Sequence, residues 1–287
     1  MTPLAPVRIG LIQMTASDDP QAHLGQTLAM IEQAAKQGAA LILTPEVTNF
    51  ITPDRARQTA LAQTESDDLT LAALRQAAAR YGVWLLIGSL ALRPDPPAPG
   101  DDRLVNRSLL IAPDGAIAAR YDKIHMFDVD ISDTEQFRES AAFRPGDHAV
   151  LADGPLKIGM SICYDLRFPQ LFRQLAQAGA DILTVPSAFN PTTGAAHWET
   201  LLRARAIETG CFVLAPAQCG NHPAPHSPDR RPRHSYGHSL VVDPWGKVLA
   251  DGGTAPGVVM ADLNLETITM ARTRVPSIRH DRAFGPV

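Results

Sequence analysis

The segment Lys157-Ile-Gly-Met-Ser-Ile-Cys-Tyr-Asp-Leu-Arg-Phe-Pro169 predicts a buried strand that ends at a cysteine and is followed by a helix. Ile158, Met160 and Ile162 alternate, as the residues of a strand in a packed sheet do. Phe168-Pro169 then begins a helix, because proline is tolerated in the first helical turn. A thiol at such a turn faces backbone N–H groups, and we expect these dipoles to stabilise a thiolate and, later, an oxyanion.

The chain on either side of this segment alternates between strand patterns and helix patterns. This order is typical of an α/β sandwich in which helices cover sheets. A last strand is predicted at 258–263 and a C-terminal helix from about residue 265. No shift in composition marks a linker, so we expect one domain over residues 1–287, with a core at about 7–263 and a helix and tail at 264–287.

Composition and charge exclude several classes of protein. A net charge of −4 gives no reason to expect a nucleic acid or a membrane surface as a partner. The longest apolar run, at about 83–92, is too short to span a bilayer, and the first residues do not resemble a signal peptide. Three cysteines, Cys163, Cys211 and Cys219, form an odd and sparse set, so we expect a cytoplasmic protein with at least one free thiol.

Three reactive residues, Glu46, Lys123 and Cys163, each follow a predicted strand. Reactive groups of α/β proteins gather at strand ends. There a carboxylate can act as a general base, a thiol as a nucleophile and an ammonium as a partner for an oxyanion. Many α/β proteins carry such residues at strand ends, so the spacing alone does not establish catalysis. Residues 124–148 are polar and irregular, and we expect a functional loop there.

The sequence resembles the nitrilase superfamily of carbon–nitrogen hydrolases, and within it the Nit amidase branch, from about residue 7 to residue 282. The resemblance implies a four-layer α-β-β-α sandwich that forms a homodimer or a larger homo-oligomer and needs no metal or other cofactor. The segments that carry it are Leu43-Thr-Pro-Glu46, Tyr121-Asp-Lys-Ile-His-Met-Phe-Asp128, Gly159-Met-Ser-Ile-Cys-Tyr-Asp-Leu-Arg-Phe-Pro169, Pro186-Ser-Ala-Phe-Asn-Pro-Thr-Thr-Gly-Ala-Ala-His-Trp198 and Tyr236-Gly-His-Ser-Leu-Val-Val-Asp-Pro-Trp-Gly246.

The resemblance also implies a role for each matched residue. Cys163 would be the nucleophile and Glu46 the general base. Lys123 and the backbone N–H of Tyr164 would stabilise the tetrahedral intermediate. Glu139 matches the second glutamate of the family, which positions Lys123 and the substrate. The reaction would pass through a cysteine thioester that is hydrolysed by water.

Residues near the nucleophile are candidates for substrate binding. Arg167 is placed to pair with a substrate carboxylate through its planar guanidinium, although a salt bridge to Asp165 or Glu46 is an alternative. Phe189 and Thr193 match positions that line the acyl pocket in the Nit branch, although Phe189 is as readily explained by core packing.

The resemblance implies a small-molecule amide as the substrate. Enzymes of the Nit branch hydrolyse the terminal amide of a 2-oxo acid, either in deaminated glutathione or in 2-oxoglutaramate, and the sequence favours the first. A hydrolase of N-carbamoyl compounds and a catalytically silent binding or scaffold protein are the alternatives.

Other cysteines, histidines and arginines have simpler interpretations. Cys219-x2-His222 and His234-x3-His238 mimic the spacing of a zinc finger, but a His-rich loop over 220–238 explains them without a metal. Cys211 is expected to be a small buried hydrophobe. The arginines of Arg272–Arg282 are expected on a solvated face or a dimer contact.

Overall fold

A computed structural model describes residues 5–97, 99–132 and 135–285, so the first four and the last two residues of the predicted domain lie outside the described residues. The strands are β1 (Val7–Gln13), β2 (Leu41–Leu43), β3 (Trp84–Leu92), β4 (Val105–Ile111), β5 (Ile117–Asp122), β6 (Asp128–Ser132), β7 (Glu135–Arg138), β8 (Val150–Asp153), β9 (Lys157–Met160), β10 (Ile182–Thr184), β11 (Phe212–Ala215), β12 (Cys219–Asn221), β13 (His234–Tyr236), β14 (Leu240–Val242), β15 (Val248–Asp251) and β16 (Gly257–Leu263). The helices are α1 (Pro20–Lys36), α2 (Arg55–Leu61), α3 (Leu69–Tyr81), α4 (Pro169–Gln177), α5 (Pro191–Thr209) and α6 (Glu266–Arg274), and 3-10 turns lie at Glu139–Ala141, Cys163–Arg167 and Ser277–Arg279. None of the helices in these ranges is long and apolar enough to cross a membrane.

Two six-stranded sheets form the centre of the described structure. The first has the strand order β16-β1-β2-β3-β4-β5 and the second the order β15-β14-β11-β10-β9-β8. In each sheet three parallel strands, β1 to β3 or β9 to β11, lie between antiparallel strands. Because the carboxyl ends of neighbouring parallel strands meet at one edge, the residues that follow β2 and β9 lie where α/β proteins place their sites.

Helices cover the outer face of each sheet. Helices α1 and α3 pack on the first sheet, and α4 and α5 pack on the second. The alternation of side chains along β1 shows how the layers form: Ile9 and Leu11 join the core between the sheets, together with Ile158 of β9. Ile12 points the other way and packs in a second core with Ile31 of α1. The predicted four-layer α-β-β-α sandwich is therefore confirmed.

The predicted irregular loop over 124–148 is wrong in part, because it contains the hairpin of β6 and β7 and a 3-10 turn. In β6 the half-buried Val129 and Ile131 alternate with exposed polar residues, which is the pattern of a half-buried strand, but the pattern covers only five residues. An ion pair between Arg138 and Asp130 at 2.6 Å stabilises the hairpin, and Ser140 N–H donates to Asp128 Oδ1 at 3.0 Å. Helix α2 was not predicted either, because none of its seven residues is buried.

Candidate active site

Cys163 lies in a sharp turn between β9 and α4, as the sequence predicts. Strand β9 ends at Met160, and Cys163 begins a 3-10 turn with a φ of 49°, a left-handed value that residues other than glycine rarely adopt. Its N–H donates to the Pro186 carbonyl at 3.0 Å. Only 9% of the residue is exposed. The turn therefore holds the thiol in a buried position at the end of the second sheet, with the N–H of Tyr164 as the next backbone donor.

A buried carboxylate joins this turn to the segment that carries Lys123. Oδ2 of Asp165 accepts hydrogen bonds from Tyr121 Oη at 2.6 Å and from Ile162 N–H at 2.8 Å. Its Oδ1 accepts from His125 N–H at 3.0 Å and lies 2.7 Å from His125 Nδ1. Burial, reinforced by the charge of Asp165, raises the pKa of Tyr121 above its ordinary value, so the phenol remains a donor. Asp165 thus fixes the position of the lysine segment relative to the cysteine.

Lys123 lies between two carboxylates. Its Nζ donates to Glu46 Oε1 at 2.9 Å and to both carboxylate oxygens of Glu139 at 2.9 Å. Glu46 also accepts from Asn106 Nδ2 at 2.9 Å and from the Ala188 N–H at 2.9 Å. The structure therefore brings together the four charged or nucleophilic residues that the sequence singled out, although they lie far apart along the chain.

Electrostatics keep Lys123 and Glu46 ionised. Burial by itself raises the pKa of Glu46, but the Lys123 ammonium and hydrogen bonds outweigh this and lower the pKa below its ordinary value. Burial also opposes the charge of Lys123, but Glu139 and Glu46 outweigh it and raise the lysine pKa well above its ordinary value. The result is a buried ammonium shared by two carboxylates, an arrangement in which each buried charge has a partner.

The surroundings of Cys163 disfavour the thiolate that the sequence analysis expects. Burial raises the pKa of the thiol above its ordinary value, and the charge of Glu46 raises it further, although Lys123 acts in the opposite direction. The direction of the pKa shift therefore favours a neutral thiol over a thiolate stabilised by the turn. Glu46, whose charge acts on the thiol, lines the same cavity and is the nearby carboxylate that could accept its proton.

A cavity of about 720 Å³ lies over these residues, which is within the range of small-molecule sites. Glu46, Lys123 and Cys163 are among its lining residues, and its walls come from residues 50–53, Arg55, β7, the start of α5 and residues 231–234. The cavity is therefore large enough for a substrate of several linked groups rather than for a single small amide alone.

Phe189 and Thr193, two of the predicted substrate-binding residues, line this cavity. The ring of Phe189 packs on Trp198 with 4.7 Å between ring centroids, so it serves both the core and the cavity wall. Thr193 lies in the first turn of α5, where its hydroxyl donates to Asn190 Oδ1 at 3.0 Å. Both residues are thus held in fixed positions by packing or by a helix cap.

Arg167, the third predicted substrate-binding residue, is not among the described residues that line the cavity. Its guanidinium lies over the rings of Phe189 and Tyr164, at 5.7 Å and 5.8 Å from their centroids. It also lies 3.3 Å from His197 Nδ1. The alternative salt bridge to Asp165 or Glu46 does not occur within the described ranges, so the arginine has no carboxylate partner there.

Asn106 and Asp165 contribute to the site although no motif marks them. Asn106 lies in β4, and Asp165 follows the cysteine by two residues. Both are buried polar residues beside apolar runs. A polar residue in such a place needs a partner, and this signal could have marked both of them.

The residues with zinc-like spacing take separate protein partners. Cys219 contacts Thr15, and His222 contacts Ala16 and Ser235. His234 contacts Asn221, and His238 contacts Asp251. Cys211 is fully buried, as predicted. Arg272, the first arginine of the predicted C-terminal set, donates to Cys211 Sγ at 3.0 Å and therefore contacts its own chain.

A thiol, a carboxylate and an ammonium in contact at the strand ends of an α-β-β-α sandwich are the features of a hydrolase that acts on carbon–nitrogen bonds. Comparison with known proteins agrees with this class. The model of the carbon-nitrogen hydrolase family matches residues 8–273, and the chain belongs to this family. The family predicted from the sequence is confirmed.

Relatives of known name and structure cover most of the chain. It is 39% identical to the deaminated glutathione amidase of Yersinia enterocolitica over 281 residues, which are 96% of this chain and 92% of that protein. The NitFhit protein of C. elegans superposes with a TM-score of 0.87 at 36% identity, over 98% of this chain and 66% of that one. Nit3 of Saccharomyces cerevisiae, a member of branch 10 of the nitrilase superfamily, superposes with a TM-score of 0.82 at 29% identity over 97% of each chain. The chain is an amidase of this family.

Proposed function

We propose that the chain hydrolyses its amide through a thioester on Cys163, with Glu46 as the general base and Lys123 as the cation that stabilises the oxyanion. The observation that carries this proposal is that the three side chains converge on one cavity. Lys123 Nζ lies 2.9 Å from Glu46 Oε1, and the charges of both residues act on the thiol of Cys163. All three line the cavity, so a substrate carbonyl can meet them together.

In the first half of the reaction, Sγ of Cys163 attacks the amide carbonyl carbon and its proton passes to Glu46. Because the raised pKa keeps the thiol protonated, this transfer accompanies the attack and does not precede it. The charge that moves to the carbonyl oxygen is stabilised by Lys123 Nζ and the Tyr164 N–H. The C–N bond then breaks, the amine leaves with the proton from Glu46, and a thioester remains.

In the second half, water attacks the thioester carbonyl and gives a proton to Glu46. The C–S bond breaks, the proton returns to the sulfur of Cys163, and the free acid leaves. Glu139 is a positioning residue in both halves, because its two oxygens accept hydrogen bonds from Lys123 Nζ. It keeps the ammonium in place while the charge of Glu46 is transiently neutralised.

Deaminated glutathione, a 2-oxoglutaryl group in amide linkage to Cys-Gly, is the substrate that we propose. The name of the Yersinia relative and the volume of the cavity support it. Phe189 and Thr193 would contact the 2-oxoglutaryl group. Arg167 would bind the carboxylate of that group after its side chain turns away from His197. 2-Oxoglutaramate has the same acyl group and is the second candidate.

The direct test is the rate of 2-oxoglutarate release from the two amides, each over a concentration series. We expect kcat/KM to be at least about tenfold higher for deaminated glutathione, which corresponds to about 1.4 kcal/mol of transition-state discrimination. Cys163→Ala is the control and should abolish both activities without loss of the fold. A preference for 2-oxoglutaramate would make the chain an ω-amidase, and activity on neither amide would contradict the proposed substrate class.

The setting of the enzyme belongs to the same proposal. We propose one domain over residues 1–287 that acts in the cytoplasm as a homodimer. The three cysteines are unpaired and buried, which is typical of a reducing compartment. Exposed apolar side chains such as Ile207 and Trp245, 55% and 57% exposed, offer a surface that a second copy could cover. Sedimentation velocity would test the dimer, and a monomer at micromolar concentration would contradict it.

A further inference from the structure

Two arginines at the entrance of the cavity form no ion pair with any residue that the structure describes. Arg231 and Arg233 line the cavity and are exposed. Within the described part of the chain, the side chain of neither one forms a hydrogen bond or a salt bridge. The neighbouring Arg230 differs, because its Nε lies 3.9 Å from Asp54 Oδ2 and it does not line the cavity. Arg231 and Arg233 therefore present free positive charge to whatever enters.

The loop that carries these arginines is anchored at several points. The buried ring of His222 bonds to the Ala16 carbonyl at 2.9 Å, and its backbone N–H donates to the Arg233 carbonyl at 2.9 Å. Ser227 Oγ donates to the buried Asp18 carboxylate at 3.0 Å. The backbone around both arginines is thus held in place before a ligand binds, which lowers the entropy that binding must overcome.

The entrance is positive although the chain carries a net charge of −4. Within the described ranges, the cationic lining residues are Arg55, Lys123, Arg138, Arg231 and Arg233, and the acidic ones are Glu46, Glu135 and Glu139. Lys123 and its two carboxylates together carry one negative charge, and Arg138 pairs with Asp130. Glu135 adds a second negative charge, so Arg55, Arg231 and Arg233 outweigh the acidic residues by one and give the entrance its positive charge.

We propose that Arg231 and Arg233 form a leaving-group subsite that binds a carboxylate on the amine side of the scissile amide. This inference rests on the proposed function. In deaminated glutathione the leaving amine is Cys-Gly, whose carboxylate lies two residues, or about 7 Å in an extended chain, from the scissile nitrogen. Because the thiol is buried, this reach brings the carboxylate toward the exposed entrance. Guanidinium groups bind carboxylates through paired hydrogen bonds. An amide that releases only ammonia has no group for this subsite.

The test compares amides that share the acyl group and differ in the amine. The substrates are deaminated glutathione, its C-terminal glycinamide, which lacks the carboxylate, and 2-oxoglutaramate. In R231Q/R233Q we expect kcat/KM for deaminated glutathione to fall about tenfold to hundredfold, mainly through a higher KM. The values for the glycinamide and for 2-oxoglutaramate should stay within about twofold of the wild type. Arg230→Gln is the matched control and should leave all three unchanged.

Each outcome has one meaning. If the double variant loses activity only on the substrate with the carboxylate, the subsite is supported. If it loses activity on all three substrates equally, or on none, the subsite is wrong while the proposed function stands. If the wild-type protein does not hydrolyse deaminated glutathione, the proposed function fails and this inference fails with it.

Discussion

Two corners of the backbone, one from each sheet, meet at the candidate active site. One follows β2 and carries Glu46, and the other follows β9 and carries Cys163. Each contains a residue other than glycine in the left-handed region, Val47 and Cys163, both with a φ of 49°. Such a conformation costs roughly 1–3 kcal/mol per residue and persists only where the surroundings impose it. The corners differ in which residue adopts this conformation. In the first sheet it is Val47, the neighbour of the reactive Glu46. In the second sheet it is the reactive Cys163 itself.

Different contacts hold the two corners. Val47 N–H donates to Ser89 Oγ at 2.9 Å, so the first corner is held by strand β3 of its own sheet. The Cys163 N–H donates to the Pro186 carbonyl at 3.0 Å, beyond the end of β10. Ala188, two residues after Pro186, donates its N–H to the Glu46 carboxylate, so the segment that follows β10 contacts both corners. The comparison indicates that the strained backbone at each corner places the Glu46 carboxylate and the Cys163 thiol on the same side of the site.

The largest expected effect comes from changing the two glutamates that contact Lys123. Glu46 is the glutamate whose charge raises the pKa of the thiol, so Glu46→Gln should lower kcat/KM at least about a thousandfold through loss of the general base. Glu139→Gln keeps the base and should lower it about tenfold to hundredfold through a misplaced ammonium. Steady-state kinetics of 2-oxoglutarate release would measure both. Equal losses in the two variants would contradict the distinction between base and positioning residue.

The second prediction concerns Gly88, which packs between the segment that leads to Glu46 and Pro186, the residue that accepts the Cys163 N–H. A Cβ on Gly88 would lie 2.0 Å from the Thr44 carbonyl oxygen and 2.5 Å from Cβ of Pro186. Gly88→Ala should therefore push the corners apart, destabilise the fold by about 1–3 kcal/mol and lower kcat/KM about a hundredfold. Urea unfolding and kinetics would measure the two effects. Gly25→Ala is the matched control, because no atom lies within 4 Å of its Cβ. Wild-type activity in Gly88→Ala would show that the corners do not depend on this contact.

The sequence was enough to predict the position of each corner but not its conformation. Glu46 and Cys163 could be found because each follows an apolar strand and lies in a segment that resembles a known family. The left-handed φ of Val47 could not be found, because a β-branched residue disfavours it and the contacts that hold it, such as the one with Ser89, come from another strand. Such a contact joins residues that lie 42 positions apart, and no local pattern records it.

The protonation of the Cys163 thiol and the hairpin at the cavity entrance could not be predicted from the sequence either. The thiol pKa depends on how deeply Cys163 is buried and on the nearness of Glu46, and both follow from the packing of one sheet on the other. The β6–β7 hairpin escaped prediction because its strands have only five and four residues, although Val129 and Ile131 alternate with polar residues. Prediction therefore succeeded where apolar periodicity extends over a long segment. It failed where that pattern is short or where contacts between distant residues decide the structure.

A third prediction tests the electrostatic coupling between the corners. Burial and the charge of Glu46 both raise the pKa of Cys163, so alkylation by iodoacetamide should be slow at neutral pH and should speed up in alkaline solution. Glu46→Gln removes a negative charge that disfavours the thiolate. The thiol pKa should therefore fall, and the alkylation profile should shift to lower pH by about one unit or more. Glu32→Gln on the exposed face of α1 is the control, with Cys163→Ala as the background rate. A profile that does not move would show that burial alone sets the thiol pKa.

The smallest expected effect tests the strain at the first corner. At an ordinary strand position glycine is less stable than alanine by about 0.5–1 kcal/mol. At Val47 the order should be reversed: Val47→Gly should be about 0.5–1 kcal/mol more stable than Val47→Ala, because glycine adopts a positive φ without a clash. Val213, in the middle of β11 and fully buried, is the control site, where Val213→Gly should be the less stable of its pair. The free energies of unfolding in urea decide the result. If both sites show the same order, Val47 is not strained, and Cys163 would be the one corner residue with a strained backbone among those compared here.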